Sequence, residues 1–163
     1  MQPPVTRVLL LNPPADRLYI RDQFCSHVSK GTYYWQPLDL LMLSARLDAA
    51  GFELAVVDAV AERLASEEAL RRIERFAPDA IVFLTGSDSF EDDLLFIGEA
   101  RRRGTRLAIG IGDILHEKGA ALMTRHPEID AFLTDFVEPG LVDFLRGHPE
   151  RAWNMTGRTE QGV

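Results

Sequence analysis

Few side chains in this chain could do chemistry. Cys25 is its one cysteine, and His27, His116, His126 and His148 are its four histidines. A lone cysteine cannot form an internal disulfide, a cysteine-rich zinc site or an iron–sulfur cluster. The histidines follow no metal-ligand spacing. His116 stands three residues after Asp113, and such a pair could orient an imidazole. It reads rather as a solvated residue at the start of a helix. Cys25 has no base partner at a recognisable spacing, so it reads as a loop residue or a ligand-facing thiol. No residue is assigned a catalytic or metal-binding role.

The remaining candidates are small and polar. They are Asn12 before Pro13-Pro14, the run Thr85-Gly86-Ser87-Asp88, and Gly110-Ile111-Gly112-Asp113. Glycine lets a ligand approach the backbone. Hydroxyls offer donors and acceptors without bulk. The same residues also simply make turns. Familiar phosphate motifs are missing. Gly110-Ile111-Gly112-Asp113-Ile114-Leu115 lacks the third glycine of a dinucleotide fingerprint, and no G-x-x-x-x-G-K-[ST] loop exists. Asn12-Pro13-Pro14 supplies few backbone donors for a flavin phosphate. A phospho-acceptor receiver would want acids where this chain has Asn12 and Thr85.

These residues need elements to position them. Short apolar runs at 7–12, 53–58, 79–84, 105–111 and 129–133 predict five strands. Helical periodicity over 38–50, 66–77, 90–103, 117–124 and 138–146 predicts the helices between and after them. Gly51 and Pro78 punctuate two of the helix ends. Alternating strands and helices predict an α/β fold, a flavodoxin-like doubly wound five-stranded parallel sheet of order 2-1-3-4-5. Residues 1–147 form the domain, and 148–163 read as a tail or the start of a linker. The connector 13–37 is long, with Tyr19, Phe24, Tyr33, Tyr34 and Trp35 along it. Loops of that length in a compact domain are functional or disordered, and five aromatics argue against disorder. Trp35 is expected to close the loop onto the sheet. Ligands of such folds bind outside the carboxyl ends of the strands. That edge gathers Asn12, Thr85-Gly86-Ser87 and Gly110-Ile111-Gly112-Asp113.

Composition narrows the function. A chain of 163 residues with 46% hydrophobic and 26% charged residues is an ordinary globular domain. The net charge of −7 argues against a nucleic-acid partner. Arg101-Arg102-Arg103 falls at the end of a predicted helix, where cations complement the carbonyl end of the dipole. No apolar run approaches a membrane span, and no signal peptide is evident, so the expected location is cytoplasmic.

The order and spacing of these features resemble the N-terminal cobalamin-binding domain of cobalamin-dependent radical SAM proteins. The resemblance covers residues 7–147. It rests on Val8-Leu9-Leu10-Leu11-Asn12-Pro13-Pro14, Gln36-Pro37-Leu38-Asp39-Leu40-Leu41, Leu84-Thr85-Gly86-Ser87, Gly110-Ile111-Gly112-Asp113 and His126-Pro127-Glu128-Ile129-Asp130-Ala131. Arg21-Asp22-Gln23-Phe24-Cys25-Ser26, with Ser29-Lys30 and Tyr34-Trp35, looks like a subgroup signature. The resemblance implies cobalamin against the carboxyl edge, its nucleotide tail between strand ends. The implied contacts are Asn12, Thr85, Gly86, Ser87, Gly110, Gly112 and Asp113. Cys25 and Lys30 are further contacts on a loop facing a radical SAM barrel in cis. The D-x-H-x-x-G motif that gives a histidine to cobalt is absent after the first strand. S-adenosylmethionine and a [4Fe–4S] cluster would belong to that barrel, whose C-x-x-x-C-x-x-C motif this chain lacks. The fourth strand departs from the family's Gly-Gly end, and the fifth ends in Thr134-Asp135-Phe136-Val137-Glu138 rather than near Gly-Glu-x-Glu. The alternative is an apo flavodoxin-like interaction domain that has lost the cofactor. A small stand-alone enzyme using Asp39, Asp113 or His116 is a third reading, which no sequence pairing supports.

Overall fold

The computed structural model describes residues 4–32, 34–137 and 139–158. Tyr33, Glu138 and the last residues of the expected tail lie outside the described residues.

Strand β1 (Arg7–Asn12) lies second from one edge of the main sheet. Its residues from Val8 onward are buried, as a continuous apolar run demands when both sheet faces are covered. It pairs in parallel with β4 (Glu53–Asp58) on one side and β5 (Ala80–Leu84) on the other. Then follow β6 (Leu107–Ile111) and β7 (Ala131–Leu133), also parallel. The five parallel strands therefore lie in the expected order, 2-1-3-4-5 in sequence order. A sixth strand, β8 (Met155–Gly157), pairs antiparallel with β7 at the sheet edge. It falls within 148–163, the stretch expected to be a tail or the start of a linker, and there it joins the sheet.

Alternate strand residues feed two cores. Leu9, Leu11, Ile81, Phe83, Ala108 and Phe132 pack with α2 (Ser66–Phe76), α3 (Phe90–Arg102) and α4 (Asp113–Arg125). Val8, Leu10, Val82, Leu84 and Ile109 pack with α1 (Leu38–Ala49) and α5 (Gly140–Leu145). Helices thus cover both faces of the sheet. Helix α4 begins at Asp113, earlier than its periodicity suggested. The Arg101–Arg103 cluster is absorbed by ion pairs to Asp130, Glu99, Glu67 and Glu74.

Two carboxylates fasten the amino ends of the strands. Asp79 accepts from the backbone N–H groups of Thr6 and Arg7 and from Arg106. Asp130 accepts from the N–H of Ala108 and pairs with Arg101. No helix among the described residues is long and apolar enough to cross a membrane.

The long connector after β1 is folded. It contains a small antiparallel hairpin of β2 (Tyr19–Arg21) and β3 (Ser26–Val28). Burial alternates along it, with Tyr19, Arg21 and Gln23 buried and Ile20 and Asp22 less so. A strand places residues i, i+2 and i+4 on one face, and that face turns toward the sheet edge. Trp35 does not close the loop as expected, since it is 45% exposed.

Candidate functional site at the carboxyl edge

The carboxyl ends of β1, β5, β6 and β7 form one edge, and the hairpin lies on it. Arg21 enters most deeply. Its Nη2 donates to Asp93 Oδ1 at 2.6 Å, and its Nε donates to Asp93 Oδ2 at 3.2 Å and Ser89 Oγ at 3.0 Å. Its Nη1 donates to Asn12 Oδ1 at 2.9 Å and to the Pro13 carbonyl at 3.2 Å. Both side chains of the Arg21–Asp93 pair have no solvent exposure. Burial pushes the Asp93 carboxyl up to about 6, against the opposing Arg21 charge and the Ser89 hydroxyl. A charge pair taken wholly out of water needs such a full set of hydrogen bonds to survive.

Gln23 holds the far end. Its Nε2 donates to the Thr134 carbonyl, and its Oε1 accepts from the Phe136 N–H at 3.0 Å. The Gln23 N–H donates to Asp39 Oδ2 at 2.7 Å. Asp39 is buried at the start of α1, which pushes its carboxyl up to about 6. Ser26 Oγ donates to Asp113 Oδ2 at 2.8 Å.

The expected site residues are brought together, but largely against protein. Asn12 ends β1, donating to Asp58 and accepting from Arg21. Gly86 faces the hairpin, and a Cβ on it would overlap the Ser26 side chain. Gly112 presses on the Thr85 carbonyl, which a Cβ would overlap. Gly110 makes room for Leu115 and the Phe83 ring. The Ser87 N–H donates to Asp113 Oδ1 at 3.0 Å, an oxygen that also accepts from the Ile114 N–H. Thr85 is fully buried; its hydroxyl faces the Asp93 carboxylate without a hydrogen bond of normal geometry. Cys25 is exposed at the hairpin tip, its Sγ 3.7 Å from His27 Nδ1. Lys30 is exposed beyond β3. His116 is exposed, with the Phe24 ring edge-on at 5.8 Å. Among the described residues no three His, Cys, Asp or Glu side chains gather as a metal site. A cavity of about 470 Å³ lies not at this edge but beside β8, lined by Leu107, Asp130, Phe144, Met155 and Arg158 among others.

Arg21, Gln23, Ser26, Ser89 and Asp93 were not among the expected site residues. The available signal was the polar stretch 21–26, already distinctive in the sequence. Its partners lie up to 113 residues away and emerge only from the fold.

The chain superposes on a radical S-adenosylmethionine methyltransferase, TsrM, from Kitasatospora setae, described with tryptophan substrate and a SAM analogue bound. The TM-score is 0.71 at 20% identity, over 96% of this chain and 29% of that one. A second structure of TsrM, with cobalamin and a [4Fe-4S] cluster bound, gives a TM-score of 0.70 at 19% identity, over 97% and 28%. This is the fold of one part of TsrM. The chain spans less than a third of the length of the TsrM chains it matches. No family model matches the sequence, and no curated protein matches it.

With the hairpin docked, these residues do not fit a nucleotide tail between the strand ends. Asn12 and Asp113 have protein partners, Gly86 is covered by Ser26, and Gly110 and Gly112 are used by internal packing.

Proposed function

We propose that this chain is the cobalamin-domain part of a larger radical SAM protein. On this reading it is a binding module, not catalytic alone, that presents its carboxyl edge to a barrel domain in the same polypeptide. The supporting observation is architectural. A doubly wound sheet with a long insertion after β1 and small-residue ends after β5 and β6 superposes on TsrM over nearly its whole length. Of the expected contacts Asn12, Thr85, Gly86, Ser87, Gly110, Gly112 and Asp113, those that would meet cobalamin once the hairpin moves aside are Asn12, Gly86, Ser87 and Asp113, while Thr85, Gly110 and Gly112 would shape the edge from within. Cys25 and Lys30 lie on the connector that would face the barrel. S-adenosylmethionine and the cluster would belong to the barrel, since a single cysteine cannot hold a [4Fe–4S] cluster. The docked hairpin favours a second reading, an interaction domain that keeps the fold without the cofactor.

One experiment separates the two. Purified protein is mixed with hydroxocobalamin and passed through gel filtration. Colour co-eluting near one equivalent supports the module. A colourless protein with a folded circular dichroism spectrum, in the wild type and in a variant without the hairpin, leaves the interaction domain.

A further inference from the structure

We propose that the hairpin Tyr19–Val28 is a built-in occupant of the carboxyl edge, and that cobalamin enters only as the hairpin undocks. The inference rests on the module reading and adds a competition between two occupants of one place.

Three side chains of the hairpin serve the strand ends in turn. Arg21 fills the crevice between the end of β1 and α3, meeting Asn12, Ser89 and Asp93. Ser26 covers Gly86 and bonds Asp113 beside the ends of β5 and β6. The Gln23 amide takes the Thr134 carbonyl and the Phe136 N–H beyond β7. These are the groups a polar ligand at this edge would use. The hairpin satisfies them with an amide, a hydroxyl and a guanidinium.

The hairpin is also built to leave as a unit. It is a two-stranded sheet of its own, with no ladder to the main sheet. Such hairpins are marginal in isolation, so docking holds it in place. Its ends meet, the Ser29 N–H donating to the Leu18 carbonyl at 2.7 Å. Movement about Leu18 and Ser29 would break the bonds to Asn12, Pro13 and Asp39 but no pairing of the main sheet. Its tip is already outside, with Phe24 70% exposed. Arg21–Asp93 is the strongest hold, so the closed state dominates. A ligand's apparent affinity is then reduced by the fraction of molecules that are open.

Two variants test this. Gln23→Ala with Ser26→Ala removes three hydrogen bonds and leaves the buried ion pair intact. The second replaces residues 19–28 by two glycines, with Asp93→Asn so that no buried charge is stranded. Both are titrated with hydroxocobalamin beside the wild type, and folding is checked by circular dichroism. Hydrogen exchange of amides 19–28 is followed in the wild type with and without saturating hydroxocobalamin. Each hydrogen bond contributes roughly two- to tenfold to an equilibrium. The double variant should therefore bind at least about tenfold more tightly than the wild type, and the hairpin-free variant no less tightly. Hairpin amides should lose protection on loading. Equal or weaker binding by the double variant, or unchanged protection at saturation, overturns the competition while colour retained by the wild type preserves the module reading. No retention by any of the three proteins overturns the module reading itself. If the hairpin-free variant does not fold, the double variant and the exchange experiment decide.

Discussion

Replacing Arg21 by alanine tests the closed edge most severely. The change removes five side-chain contacts: two to Asp93 and one each to Ser89, Asn12 and Pro13. It leaves the Asp93 carboxylate, which has no solvent exposure, without a countercharge. Breaking a buried pair from one side costs about 3–5 kcal/mol. That is a large part of the roughly 5–15 kcal/mol that holds a domain together. For a chain of this size it lowers Tm by roughly 10 °C. The cost should depend on pH in a defined sense. Burial already pushes the Asp93 carboxyl up to about 6, and loss of Arg21 removes the main opposing charge. The stranded group then takes a proton, most completely below about pH 6, and a neutral acid costs less to bury. Urea denaturation followed by far-UV circular dichroism at pH 7.5 and pH 5.5 measures both effects. The loss at pH 7.5 should exceed that at pH 5.5 by about 1 kcal/mol or more. Arg21→Met combined with Asp93→Leu should recover most of the stability, since apolar residues of similar volume often replace a buried pair without loss. A loss below about 1 kcal/mol at pH 7.5, or one independent of pH, would place Arg21 in solvent and refute the closed edge.

Three further outcomes are expected. Asp39, pushed up to about 6 by burial, binds its proton more tightly folded than unfolded; its contribution to stability therefore falls as pH rises from about 4 to about 6 and stays low above. Asp39→Asn keeps an acceptor for the Gln23 N–H, so it should stabilise the protein by about 1–3 kcal/mol at pH 7.5 and flatten that part of the pH profile in chemical denaturation. Gly112→Ala should cost several kcal/mol, roughly 2–4, because its Cβ would meet the backbone carbonyl of Thr85 rather than a movable side chain; a thermal melt within about 2 °C of wild type would contradict that contact. Truncation after Gly147 removes β8 and exposes the β7 edge, so it should lower the urea midpoint and increase light scattering on heating.

The sheet was readable because five apolar runs each sit between helical periods. Parallel strands covered on both faces leave that signal, as Val8–Leu11 and Ala80–Leu84 show. The small residues at strand ends pointed to the edge on which the hairpin lies. Their purpose was ambiguous, since a glycine admits a ligand and a neighbouring side chain equally well. Gly110 serves Leu115 and Phe83, and Gly86 serves Ser26, facts that only three-dimensional packing settles. The hairpin was hidden because its strands have three residues each and its buried side chains include the polar Arg21 and Gln23. An arginine becomes a core residue only through its partner, and Asp93 lies 72 positions away. Strand β8 was hidden for a similar reason. Met155-Thr156-Gly157 carries no apolar run, and its pairing depends on the free edge of β7.

That last strand also sets a direction of travel. Because β8 runs antiparallel, Gly157 lies opposite Ala131, at the start of β7, while Met155 lies opposite Leu133 at its end. The backbone therefore reaches Gly157 on the side of the sheet away from the hairpin. Any polypeptide continuing from there toward a body above the carboxyl edge must climb back past the whole strand layer. A strand like β5, of five residues, is about 16 Å tall at roughly 3.3 Å per residue. To span that height from Gly157, extended backbone would need at least about five or six residues.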